Sequence, residues 1–180
     1  MSVTYEQAKW DVHKMAGEVM EQHHGKRLRF ADGVFPTLCI LMANSSKEEP
    51  NGSAVMLHGY PCQAVISVIP YKQRVDKRAD VEIIIDEKNW HDLTEPQQRA
   101  LLDHEITHLE FDVDLKTGIV KTDDAGRPKL KTRTHDYQIG GFREIARRYG
   151  ADAPEVITAR DFAERFGDDV LKPNESSLFV

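Results

Sequence analysis

Two cysteines are all that this chain of 180 residues carries. Cys39 and Cys62 both stand in apolar, strand-like runs and read as buried free thiols. A disulfide between them would be unusual in a reducing compartment. Long hydrophobic runs are missing too. The longest, "CQAVISVIP" and "FPTLCILMA", are far too short to span a bilayer. The N-terminus, "MSVTYEQAKWDVHKM", lacks the apolar core of a secretory signal. These absences point to a protein that stays in the cytoplasm where it is made, with no membrane partner. A basic surplus is also absent. The net charge of −6 argues against a broad nucleic-acid footprint and leaves only a local basic strip, Lys121, Arg127, Lys129, Lys131 and Arg133. There is no internal repeat and no low-complexity tract beyond "NSSKEEPNGS". What remains is a globular composition, 40% hydrophobic and 30% charged, at a length that suits one domain and one core.

Periodicity predicts an α+β chain. Residues 4–22 read as a helix with Ala8, Val12, Met15, Ala16, Val19 and Met20 on one face. Residues 35–43, 63–69 and 81–85 read as strands rich in β-branched residues. The stretch 44–53 is a loop, and "PYKQRVDKRAD" is a charged connection. A second helix runs from about 95 to 110, opened by Thr94 and Gln97 as a capping box with Pro96 in its first turn. Beyond it, "TGIVKTDDAGRPKLKTRT" reads as a hairpin or ordered loop turning at Asp124-Ala125-Gly126. Two further helices are expected, 142–149 ended by Gly150 and about 153–166 stopped at Gly167. The expected organisation is a single domain over 1–168 and a loosely held tail over 169–180.

Inside the second helix stands His104-Glu105-Ile106-Thr107-His108, an H-E-x-x-H. Helix positions four apart lie one above the other, so His104 and His108 can present two imidazoles to one point. Zinc accepts imidazole nitrogen, and a catalytic zinc keeps one corner for water. Glu105 lies on the flank of that face and can take a proton from such a water. Chance alone produces the pattern in about 3% of shuffled chains with this composition, so its context has to decide. The context is a capped helix with two faces. Leu102, Ile106, Leu109 and Val113 form an apolar stripe, and the histidines fall nearly opposite it.

Two histidines do not complete a site. Asp112 lies about 12 Å along the axis from His104, too far to share an ion, and reads as a surface carboxylate. His91 precedes the helix and is a lesser candidate. His13, His23, His24 and His58 have no supporting context and read as exposed or satisfied packing residues. His135, just ahead of the 142–149 helix, is the strongest third ligand, with Asp136 as a cap or as an acceptor for a ligand imidazole. The alternative is that His135 is simply a hairpin residue.

The stretches "VEIIIDEKNWHDLTEPQQRALLDHEITHLEFD" and "RPKLKTRTHDYQIGGFREIARRYG" resemble the Putative phage metallopeptidase family, a relative of the SprT-like zincins. The resemblance covers roughly residues 55–150. It rests on a strand and Trp90 ahead of "ALLDHE", then on His135-Asp136 followed by Phe142-Arg143-Glu144. Gly140-Gly141 depart from it, standing where acidic residues are expected. The resemblance implies a phage or prophage origin, hence a host cytoplasm. It also implies a minimal zincin-like domain: an N-terminal helix, a small mixed sheet, the H-E-x-x-H helix and C-terminal helices. It names no substrate.

The leading functional expectation is a zinc peptidase with one zinc per chain held by His104, His108 and His135. Glu105 would be its general base, and a protein or peptide its substrate. The zincin resemblance implies that the strand before the motif helix, here 81–85, borders the cleft, where it could pair with an extended peptide. Tyr137, Arg133 and Arg143 are candidates to stabilise the oxyanion. A deformylase-like amidase would need Cys62 as third ligand, and "GYPCQA" does not resemble that family's motif. A third reading is a zinc-containing phage protein that binds or inactivates a host factor, including a defence factor, without hydrolysis. The basic strip leaves room for nucleic-acid-linked protease action, although a solvated hairpin explains it equally.

Overall fold

The computed structural model describes residues 3–46, 53–77, 79–135, 143–152 and 154–171. The chain divides into two compact units, Met1–Thr134 and His135–Val180.

The first unit opens with strand β1 (Val3–Gln7), followed by helix α1 (Trp10–Val19). A π-helical turn over Met20–His24 joins α1 to the short helix α2 (Gly25–Leu28). Of the expected inward face, Ala8, Val12, Ala16, Val19 and Met20 are buried, and Met15 is half-buried against the same core. The expected start at residue 4 is not. Val3–Gln7 instead forms an edge strand antiparallel to β2 (Leu38–Ser45). Val3, Thr4 and Tyr5 favour extended backbone, and they occupy an edge of β2 that would otherwise show unpaired N–H and C=O groups. β2 itself begins later than expected and continues through the first residues read as a loop.

A two-residue hairpin, β3 (Met56–Leu57) and β4 (Tyr60–Pro61), leads into β5 (Ala64–Val68). Its turn is His58-Gly59, both at positive φ. Helix α3 (Tyr71–Lys77) occupies the stretch expected to be only a connection, and β6 (Val81–Asp86) comes next. The main sheet has the order β1-β2-β6-β5, with β2 and β6 parallel and both outer pairings antiparallel.

Register explains where the core sits. Ile40, Ile83 and Ile66 line up across three strands, and so do Met42, Ile85 and Ala64. These rows face α1 and the motif helix, joining Val12, Ala16, Val19, Leu102, Ile106 and Leu109 in the main core. Each fully buried Ile or Leu there contributes on the order of 2 kcal/mol. The other sheet face carries a smaller cluster of Ala43, Ala54 and Val55, packed by Val3, Cys62, Val65 and Ile84. Cys39 and Cys62 are free thiols, half-buried rather than fully buried as expected.

After β6 come α4 (Glu87–Asp92) and α5 (Glu95–Thr107). α5 ends three residues before the expected position 110, because Leu109–Phe111 forms β7 and pairs antiparallel with β8 (Leu130–Thr132). The intervening arm closes with a turn in which the Gly126 N–H donates to Asp123 O at 2.9 Å, Gly126 lying at φ +76°. This matches the expected hairpin.

The second unit contains α6 (Arg143–Tyr149), a 3₁₀ turn over Gly150–Asp152, and α7 (Pro154–Leu171). α7 runs through Gly167 instead of stopping there. One interior glycine costs a helix only about 1 kcal/mol, too little by itself to end it. No helix among the described residues is long and apolar enough to cross a membrane.

Candidate metal centre

The motif helix is anchored before it reaches the motif. Asp86, at the end of β6, caps α4 by accepting from Asn89 N–H at 3.1 Å. The Trp90 side chain is buried, and its carbonyl accepts from Gln98 Nε2 at 3.0 Å. The expected capping box at Thr94 and Gln97 is present, with Thr94 N–H donating to Gln97 Oε1 at 2.8 Å. The main sheet thus fixes the position at which α5 starts.

About half a turn of α5 separates its two faces. Leu102 and Ile106 are buried in the main core, while His104 is exposed and His108 half-buried. The His104 and His108 rings lie 5.1 Å apart between centroids. His108 Nδ1 sits 2.8 Å from the carbonyl of Arg133, and the Arg133 N–H donates back to the His108 carbonyl at 2.7 Å. A carbonyl only accepts, so Nδ1 carries the proton and Nε2 is the nitrogen with a lone pair that could ligate a metal. His135 stands two residues beyond Arg133, so the same pair of hydrogen bonds brings the chain to the site. His104, His108 and His135 each offer a ring nitrogen, and these atoms all lie within 4.8 Å of one another. Three imidazoles at that spacing fit a divalent ion that accepts nitrogen donors, and they can hold one.

Glu105 is not part of that histidine group. It is buried, and its carboxylate accepts a hydrogen bond from the backbone N–H of Ile66. Inter-strand bonds at Gln63–Asp86 and Ile69–Asp80 set the alternation of β5, so Ile66 turns its N–H to the outer edge of the sheet. Burial pushes the Glu105 carboxyl up to about 7, a rise that the Ile66 N–H moderates.

The remaining sequence candidates separate cleanly. Asp112 pairs with Lys121 at 3.0 Å, and His91 is an exposed partner of Glu87 on α4. Neither belongs to the histidine group, nor does Cys62. Burial and the nearby charges of Glu105 and Asp86 raise the Cys62 thiol above its ordinary value. His23 and His58 are exposed and His13 is half-buried. Three residues of the basic strip are matched by acids: Lys121 with Asp112, Arg127 with Asp123 and Lys131 with Glu110. Asp136, Tyr137, Gly140, Gly141 and Phe142 lie outside the described residues.

Sequence reasoning passed over His24, which is buried and holds Asp103, the residue before His104, at 2.6 Å. It also missed Arg27, whose side chain binds the carbonyls at the end of α5. Only the helical periodicity of residues 12–20 hinted that this segment packs inward; nothing local marks its partner.

The model of the family described as Putative phage metallopeptidase matches residues 3–166. The chain belongs to that family. No curated protein and no solved structure matches it. The family match is wider than the resemblance read from the motif region. It runs from β1 into α7, and so takes in α1, α2 and the His24–Arg27 segment as well as the three histidines.

Proposed function

We propose that this member of the phage metallopeptidase family is a zinc-dependent peptidase on a minimal zincin fold. In this reading His104, His108 and His135 hold one zinc and Glu105 is the general base. The observation that carries it is the three-imidazole group beside a buried carboxyl of raised pKa. Zinc suits such a donor set and, when bound, supplies Lewis acidity and a water of lowered pKa. Glu105 does the proton work. A carboxyl near 7 can accept a proton from the attacking water and return it to the departing amine. The Ile66 N–H orients that carboxylate. Glu105 is not counted among the ligands, which leaves its oxygens for this role.

The substrate is an extended peptide laid along the outer edge of β5. Ala64, Ile66 and Val68 turn their backbone groups outward there, and Ile66 N–H is already engaged by Glu105. This moves the peptide-pairing strand from 81–85, which lies inside the sheet as β6, to its neighbour β5. The family's phage association supports action in a host cytoplasm. Elemental analysis of the purified protein, then a proteome-wide cleavage comparison of wild type with Glu105→Gln, tests the proposal. Absence of zinc, or identical cleavage by both proteins, would refute it.

A further inference from the structure

The C-terminal end of α5 carries a ligand, and something must hold it in place. A helix leaves its last four carbonyls without intrahelical partners. Here the His108 N–H takes that of Glu105 at 3.1 Å, and two arginines take those that follow. The Arg27 guanidinium donates to the carbonyls of Ile106 at 3.1 Å, Thr107 at 3.4 Å and Leu109. The backbone N–H of Arg133 takes the one between them, that of His108. The carbonyls on both sides of His108 are therefore bound to one side chain that comes from 80 residues earlier in the chain.

The same segment reaches the other ligand. Arg27 also donates to Nδ1 of His24 at 2.7 Å. Arginine has no acceptor, so His24 Nδ1 must accept, and the ring proton lies on Nε2. That Nε2–H donates to Asp103 Oδ1 at 2.6 Å. Burial lowers the His24 pKa, the effect exceeding the opposing pull of Asp103, which fits a neutral ring with one donor and one acceptor. His24 closes the π-helical turn at the end of α1. A π turn inserts one residue and rotates the helix beyond it, and such turns recur at functional sites. The turn here delivers His24 and Arg27 to α5.

We infer that Arg27 and His24 are positioning residues for the metal centre: through the carbonyls around His108 and through Asp103, they fix the spacing of His104 and His108. The inference rests on the proposed zinc site. It assigns work to α1–α2 that neither the motif nor the third ligand explains. A bidentate guanidinium can span several carbonyls, whereas an ammonium reaches them only as a point charge. Arg27→Lys therefore keeps the charge and loses the clamp.

The test measures zinc affinity of the full chain by competition with a chromophoric chelator, and records the visible spectrum of the cobalt(II)-loaded protein. Arg27→Lys is expected to bind zinc about 10–100-fold more weakly, the usual cost of losing a group that holds a ligand in place, and to shift the cobalt bands. His24→Leu, which removes both ring hydrogen bonds, should act in the same direction and serves if Arg27→Lys fails to fold. Val12→Ala, a core variant on α1, should lose stability while keeping zinc affinity and cobalt spectrum. A wild-type chain that takes up no zinc overturns the zinc reading and this inference together. A wild type that binds zinc while both variants match it in affinity and spectrum overturns this inference alone. Equal losses in Val12→Ala would overturn it too, by reducing the effect to general stability.

Discussion

The two ends of α5 are held in opposite ways. The N-terminal end is capped by its own neighbours: Thr94 and Gln97 close it, Glu95 sits in the first turn, and Arg99 pairs back to Glu95 at 3.1 Å while also reaching Glu18 of α1 at 2.8 Å. It is largely exposed. The C-terminal end is closed by residues far away, Arg27 before it and Arg133 after it, and it carries His104, His108 and the buried Glu105. A local cap defines where a helix begins. A remote clamp defines where its side chains stand relative to the rest of the fold, which a metal site requires. The chemistry of α5 is concentrated at the remotely held end.

The largest effect should separate the ends completely. His104→Ala or His108→Ala is expected to take zinc from about one ion per chain to none. His135→Ala should weaken binding strongly, because a catalytic zinc normally has three protein ligands. His91→Ala, Asp112→Ala and Cys62→Ala should leave zinc content unchanged. Chelating the metal from the wild type should lower its Tm by mass action, and should do nothing to His108→Ala. Full zinc in His108→Ala, by elemental analysis, would break the comparison at its root.

Glu105→Gln sharpens it within the same turn. Zinc should remain, since Glu105 is not among the ligands, while peptide hydrolysis should fall by about 10²–10⁴-fold, the usual worth of a general base. Loss of zinc in this variant would make Glu105 a ligand instead.

The metal-free protein offers a pH signature for the same residue. Folding raises the Glu105 carboxyl from an ordinary 4.5 to about 7. The folded state thus holds this proton more tightly than the unfolded chain does. That stability is fully present below about pH 4.5 and is lost as pH rises through 7. At 1.36 kcal/mol per unit, the loss is on the order of 3 kcal/mol. Denaturant titration of the apo-protein between pH 5 and pH 8 should show the decline, and apo Glu105→Gln should lack it. An equal decline in the variant would assign the effect to another group.

The contrast also explains how far the sequence could be read. The capping box, the buried face of α5 and the two histidines come from spacings of three, four and seven, which are fixed by the helix itself. His135 was within reach because a strong motif asks for a third donor and the chain offers few. The end of α5 at Thr107 was not legible, because Leu109–Phe111 continues a plausible helix until β8 is known to pair with it. β1 was hidden for the same reason. Val3–Gln7 becomes a strand only because β2 lies beside it. His24 had no local meaning at all: its partners, Asp103 and Arg27, meet it through a π-helical turn that no periodicity announces.

The smallest effect tests the end that the sequence described best. Thr94 contributes a cap, and Gln97 answers it across the first turn. Replacing an N-cap threonine by alanine usually costs about 1 kcal/mol. Thr94→Ala should therefore lower stability by roughly that amount, read as a shift in denaturant midpoint without a change in slope. Zinc content and affinity should stay at the wild-type level, because Thr94 lies ten positions before His104 and the clamp at the far end is untouched. Gln97→Ala should show a similar, smaller loss. If Thr94→Ala instead weakened zinc binding as Arg27→Lys is expected to, the two ends of α5 would be coupled through the helix. The division between a local cap that sets the start and a remote clamp that sets the site would then fail.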